Sequence, residues 1–254
     1  MFLRDPDAAP APLVGLAESY QPGQTDWHAH RRIQLMYAVE GSLTVLTEAG
    51  SWVLPPSRAL LLPGGLRHAL KLRRRAELRT LYLAEEAGWI VTPAAPQVIA
   101  VPALLRELIL AAVEAPWDHA PEGRSARLAR VLCDELVMLE QEPVHLPELR
   151  DTRARKLAAI FYAKPAERRS LMELAAEAGA SLRTLERHWK AETGLAIREW
   201  VQQLRLMFAL EAIAAGARIG DAAFEVGFEN PSSFIALFRQ HFGTTPARYF
   251  GDRA

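Results

Sequence analysis

The sequence predicts an α+β chain in several parts: a small β-barrel or jelly roll at the N-terminus, a helical segment after it, and an all-α domain of two tandem helix-turn-helix units. Three observations predict it. Residues 14–84 alternate short apolar runs with turn residues at roughly ten-residue spacing, the pattern of a small antiparallel barrel. Beyond residue 84 the apolar period lengthens to that of helices. Residues 171–194 and 218–250 each hold a short helix, a breaking glycine and a capped second helix.

At 254 residues the chain is long enough for two domains with separate cores. Lys plus Arg number 30 and Asp plus Glu 30, but the balance is uneven. Residues 1–150 carry 15 cations against 18 anions, and residues 151–254 carry 15 against 12. A basic excess in the helical half suits a nucleic-acid partner held by a few placed cations rather than a broad field. The single cysteine, Cys133, excludes an internal disulfide and suits a reducing cytosol. No apolar run reaches the ~20 residues of a membrane span, and MFLRDPDAAPAP does not read as a signal peptide. A cytoplasmic protein with no membrane partner is expected.

Residues 1–12 are rich in Pro, Ala and Asp and are expected to be mobile. The runs QLMYAV, SLTVLT, SWVL, ALLL, HALKL and LRTLYL are expected as strands, separated by Gly and Pro turns. Tyr37, Trp52 and Tyr82 read as barrel lining, and Arg73, Arg74 and Arg75 as a solvated loop. On a strand, His28 and His30 share one face, and Gln34 follows if the strand stays regular. His68 arrives from the PGGLRH turn. Imidazoles and a side-chain oxygen converging in a barrel suit a divalent metal such as Zn, Ni, Mn or Fe. The same residues could line an organic-ligand pocket, or be ordinary hydrogen-bonded histidines. Their spacing resembles the cupin family: His28-x-His30, Gln34 and Gly41 match its first motif, and Pro63, Gly65 and His68 its second. Gln34 stands where glutamate is usual, and the glycine that starts each motif is shifted or absent. The resemblance implies a cupin-like sensor domain over residues 1–84, with His28, His30, Gln34 and His68 as candidate metal ligands.

Residues 85–147 are expected as a helical linker and dimerisation segment. Pro102 opens one helix to about residue 115, and a longer one runs over about 124–141. Leu128, Leu132, Leu136 and Leu139 recur near heptad spacing on the second. That stripe packs either on the barrel or on a second copy of the chain. Residues 142–153 read as the interdomain linker, with the DNA-binding domain at 148–254.

In LMELAAEAGASLRTLERHWKAETG, Gly179 ends a first helix in the left-handed turn that favours glycine. Ser181 then caps a second helix that buries Leu182, Leu185 and Trp189 and offers Arg183, Thr184, Arg187 and Lys190 on its other side. Residues 197–215 form a connecting rod of roughly 30 Å, close to the ~34 Å between successive major-groove faces. In the second unit Gly227 breaks a short helix, Asn230 caps the next and Pro231 opens it.

Residues 171–250 resemble the DNA-binding domain of the AraC/XylS family of bacterial transcription regulators. Ala175, Gly179, the run SLRTLERHWK, Gly194, Arg205, Ala222, Ala223, Gly227, Phe228, Ser233, Phe234, Phe238, Arg239, Phe242, Gly243, Pro246 and Tyr249 carry the resemblance. It implies that Arg183, Glu186 and Arg187 read bases. Pro231, Ser232, Ile235 and Ala236 hold the matching places in the second unit. Those four hydrogen-bond poorly, so the first helix is expected to dominate base readout. Ser181, Lys190, Asn230, Ser233 and Arg239 complete the candidate DNA contacts. The expected partners are double-stranded DNA, a second copy of the chain, a small-molecule or metal effector, and RNA polymerase. A regulator and not an enzyme is expected; the competing class is a cupin metalloenzyme fused to a DNA-binding module.

Overall fold

The computed structural model describes residues 5–48, 50–54, 58–137, 141–142, 145–147 and 149–250. The chain divides into two compact units, residues 1–47 with 54–143, and residues 48–53 with 144–254. The sequence reading expects three parts. The helices of residues 85–147 fall inside the first unit because their apolar faces cover its sheet.

The chain runs β1 (Leu13–Tyr20), β2 (Gly23–Gln24), β3 (Ile33–Glu40), β4 (Leu43–Thr47), β5 (Gly50–Leu54), β6 (Arg58–Leu62), β7 (His68–Leu72), β8 (Ala76–Leu83) and β9 (Gln97–Ala100). Helices α1 (Ala103–Val113) and α2 (Arg124–Val137) follow, then β10 (Gln141–Glu142) and β11 (His145–Pro147). All six runs expected as strands are strands. In the first unit the larger sheet is antiparallel in the order β1-β8-β3-β6-β9-β10. Beside it, β7 pairs with β2 and with β4.

Alternation along β3 divides its residues between two environments. Ile33, Leu35 and Tyr37 pack with Leu105, Leu108 and Ile109 of α1 and with Ala129, Leu132, Cys133 and Leu136 of α2. Tyr37, expected to line the barrel, therefore sits under the helices. Gln34 falls on the opposite face, in register with Tyr82 of β8.

Two expectations change here. Of the dimerisation stripe, Leu132 is 0% and Leu136 8% exposed within the single chain, and Leu128 is half-buried against the same core. These leucines close the first unit's own core; Leu139 lies outside the described residues. The N-terminal stretch is also tied down over residues 5–12. The Asp7 carboxylate accepts from the backbone of Arg31 at 2.9 Å, and the buried Arg32 guanidinium donates to the Ala9 and Ala11 carbonyls. A short polar stretch gave no sign of this, because its partners lie some twenty residues on.

The second unit contains α3 (Thr152–Ala163), α4 (Leu171–Glu177), α5 (Leu182–Thr193), α6 (Ile197–Ala214), α7 (Ile219–Glu225), α8 (Pro231–Phe242) and α9 (Pro246–Phe250). It also holds the ladder of β5 with β11, whose Pro147 carbonyl accepts from Trp200 Nε1 at 3.1 Å. Asp151 caps α3 by accepting from Arg153 N and Ala154 N. Glu192 of α5 accepts from the backbone of Arg150 and Asp151, which fixes the chain entering α3. Ser170 and Glu173 form a reciprocal capping box on α4.

Glu167, buried between α3 and α4, accepts from Arg168 N, Arg169 N and the Arg169 guanidinium. Those bonds hold its carboxyl well below the usual range, led by the Arg169 backbone. A depressed carboxylate stabilises the fold fully above its unfolded value near 4.5 and loses that contribution as pH falls through about 2. Chemical denaturation between these limits should show Glu167→Gln with a shallower loss of stability than the parent. Leu132→Ala should cost about 2–5 kcal/mol in the same assay, and Leu132→Asp should unfold the first unit rather than separate folded monomers.

Candidate functional site

The two helix-turn-helix units are built by the same local chemistry. In the first, Gly179 sits at φ +83°, and Ala180 N and Gly179 N close the helix end onto Ala175 O and Ala176 O. In the second, Gly227 sits at φ +95°, and Phe228 N and Gly227 N bond Ala223 O and Phe224 O. This is the paired closure of a left-handed helix end. The second reading helix starts one residue later in its unit. From there Ser181 matches Asn230 as N-cap, Leu185 matches Phe234, Trp189 matches Phe238, and Gly194 matches Gly243 as C-cap.

The inward face of α5 is Leu185 and Trp189, both 0% exposed, with Trp189 edge-on to Trp200 of α6 at 5.1 Å. Leu182, expected in that core, is half-buried. The outward face exposes Arg183, Glu186, Arg187 and Lys190. The Ser181 hydroxyl accepts from Thr184 N at 3.2 Å and lies 2.9 Å from the Thr184 hydroxyl, so both residues serve the cap. On α8, Phe234 and Phe238 are fully buried, while Ser232, Ser233, Ala236 and Arg239 are exposed. Asn230 accepts from Ser233 N at 2.8 Å and from the Ser233 hydroxyl at 3.0 Å.

Sequence reasoning missed how the two units are joined. The Arg205 guanidinium of α6 donates to the Pro165 and Glu167 carbonyls, at 2.8 and 3.1 Å. A Cβ on Gly227 would lie 2.8 Å from Ala166 Cα. Gly227 thus meets two demands, a left-handed turn and a backbone contact that admits no side chain. The signal was Gly227 itself, which the sequence explains by the turn alone.

The histidines converge as expected, but His28 and His30 do not lie on a regular strand. His28 is an isolated bridge residue whose backbone exchanges two 2.9 Å hydrogen bonds with His68 at the head of β7. The Gly65 amide of the PGGLRH turn donates to His30 O at 2.7 Å. A Cβ on Gly64 would come within 2.2 Å of Arg31 O, so the turn closes against residue 31 only with glycine there. Ring centroids are 4.4 Å apart for His28 and His68, 5.2 Å for His28 and His30, and 6.0 Å for His30 and His68. One ring nitrogen from each lies within 4.8 Å of the others.

His28 Nδ1 faces Asp26 O at 2.8 Å and His68 Nδ1 faces Leu66 O at 2.9 Å. A carbonyl can only accept, so each Nδ1 carries the hydrogen. His68 Nε2 is buried with no hydrogen-bond partner among the described residues. Burial pushes the His68 imidazole down to about 4 and also lowers His30. Gln34 is buried behind them, its amide donating to Tyr82 Oη at 3.4 Å, and Tyr82 meets His30 edge-on at 4.9 Å. Burial raises the carboxyl of Glu18, on the neighbouring β1. Among the described residues no carboxylate or thiolate joins the three imidazoles as a ligand-distance donor.

Comparison with known proteins follows the same division. Residues 10–138 match the family model of an AraC-like ligand binding domain, and residues 174–252 that of a helix-turn-helix domain. The HTH-type transcriptional regulator NimR of Escherichia coli K12 is 33% identical over 222 residues, spanning 87% of this chain and 81% of NimR. RipA of Corynebacterium diphtheriae is 37% identical over 111 residues, 44% of this chain and 32% of RipA. Among solved structures, fatty-acid-bound ToxT of Vibrio cholerae aligns over 95% of both chains at 12% identity and a TM-score of 0.42. By its two family models and a relative matched along most of its length, the chain belongs to the AraC-type family of helix-turn-helix transcriptional regulators.

Proposed function

We propose that this regulator reads double-stranded DNA with α5 and α8, and that an effector held in the β-rich first unit adjusts that reading. The observation that carries the reading is the division of α5 into a locked face and an open one. Leu185 and Trp189 fix the helix, and Arg183, Glu186, Arg187 and Lys190 face outward at groove-reading spacing. Arginine is the side chain best suited to guanine O6 and N7, and Glu186 can accept from cytosine N4. Ser181, Thr184, Asn230 and Ser233 contribute by fixing the helix starts, and Arg239 and Lys190 by meeting phosphates. The 18 residues of α6 span roughly 27 Å, a length suited to units that enter neighbouring grooves of one DNA face.

The protein acts as a homodimer in the cytoplasm, and RNA polymerase is the partner through which it alters transcription. With Leu132 and Leu136 committed to the core and Leu128 packed against it, a dimer contact on α2 uses the outward side, where Val131 is 44% exposed.

The effector site is the histidine cluster, and its residues fit a divalent ion. Three converging imidazole nitrogens are a borderline donor set suited to Zn, Ni, Fe or Cu more than to Mg or Ca. Carbonyl contacts at Asp26 and Leu66 orient two of the rings, as the outer partners of metal-bound histidines do. A bound ion would supply positive charge and an open coordination position for a small anionic or carbonyl effector. Gln34, bonded to Tyr82, can add an amide oxygen but no charge.

Arg187→Ala should weaken binding to DNA from the protein's own upstream region by about 1–3 kcal/mol and relax specificity at one base pair, read by fluorescence anisotropy. Unchanged affinity removes Arg187 from base reading. Chelator-stripped protein without an affinity tag should take up about one Zn or Ni per chain by elemental analysis, and His68→Ala should take up none. Uptake that survives His68→Ala removes the histidine cluster as the metal site, and no uptake by the parent turns the search to an organic effector, whatever the DNA result.

A further inference from the structure

The two reading helices are built alike, but α8 presents an aliphatic pair where α5 presents Glu186 and Arg187. In the register fixed by their caps and buried residues, Arg183, Glu186, Arg187 and Lys190 of α5 correspond to Ser232, Ile235, Ala236 and Arg239 of α8. On α8 these residues, with Gln240 and Thr245, line one shallow outward depression, and Ile235 and Ala236 are its aliphatic members. They are not core residues left over: Ala236 is exposed, Ile235 is half-exposed, and Phe234 and Phe238 already supply the packing.

Most groups on a base-pair edge in the major groove are donors and acceptors, and the thymine 5-methyl is the apolar exception. A guanine or cytosine edge pressed against Ile235 would lose hydrogen bonds to water and gain none. A thymine methyl there leaves water for an apolar neighbour. We propose that α8 is a methyl reader. Ile235 and Ala236 select thymine at one or two positions of each half-site, and Arg239 anchors the adjacent phosphate. The inference rests on the proposed DNA reading and names what the second unit contributes to it.

The test uses full-length protein and duplexes it enriches from a random DNA pool. Each thymine is replaced singly by deoxyuridine, which removes only the methyl group. Burial of one methyl-sized group is worth about 0.8 kcal/mol, which converts to about fourfold in affinity. The expected result is a loss of about that size at one or two thymines. These should lie roughly one helical turn from the base pairs sensitive to Arg187→Ala. Ile235→Ala should bind thymine and uracil duplexes alike at those positions, and Ile235→Val should keep part of the preference. Thermal melts check that both variants fold. The inference is overturned if uracil is tolerated at every position outside those read by α5. It also fails if the penalty persists in both Ile235→Ala and Ala236→Ser. Failure to enrich any duplex overturns the DNA reading itself, whereas enriched duplexes sensitive to Arg187→Ala but indifferent to uracil overturn the methyl reading alone.

Discussion

A helix that enters a DNA groove can be gripped by its own protein along one face only, and the second unit is arranged around that limit. Trp189 is the grip on α5. It is fully buried, meets Trp200 edge-on, and Trp200 in turn donates to the Pro147 carbonyl. Two large aromatic side chains at one crossing bury enough apolar surface to hold a 12-residue helix whose other face is left to solvent. Phe234 and Phe238 do the same for α8, in a chain of ring contacts through Tyr249.

Within that unit the two helix-turn-helix motifs are also tied to each other, which a pair of independent motifs would not require. Arg205 reaches from α6 to the carbonyls of residues 165 and 167, and Gly227 lets the second turn sit against Ala166. The segment between α3 and α4 therefore touches both the connecting helix and the second turn. Buried Glu167 organises that segment by capping it and pairing Arg169, which also reaches Glu177 of α4. Through Arg205 and Gly227, the spacing of α5 and α8 depends on hydrogen bonds and a close backbone approach rather than on α6 alone.

The first unit solves a different problem. Its larger sheet needs a cover on the face that carries Ile33, Leu35 and Tyr37, and α1 and α2 provide it. The polar groups collect elsewhere: three histidines joined through the His28–His68 bridge, with Tyr82 against His30 and Gln34 bonded to Tyr82. Such a concentration of half-buried and buried polar groups costs stability unless something satisfies it. That cost is visible at His68 Nε2 and at Gln34 Oε1.

Local chemistry is what the order of residues settles. Strand runs, helix periods, the glycines that end α4 and α7, and the caps Ser181 and Asn230 are each set by residues a few positions apart, so they were legible without a fold. The convergence of His28, His30 and His68 was legible through the resemblance of their spacing to the cupin motifs, whereas the strand expected under His28 and His30 is replaced by an isolated bridge. The features that depend on the closed fold involve partners far apart in sequence. Leu132 and Leu136 look the same on a dimer seam as on a helix covering its own sheet, because periodicity records that a face is buried and not what buries it. Asp7 reaches residues 31 and 32, and Gly227 reaches Ala166, across separations that no local pattern encodes. Those contacts form only when the chain has closed around them, and that closure fixes which polar groups are buried and which helix face remains open.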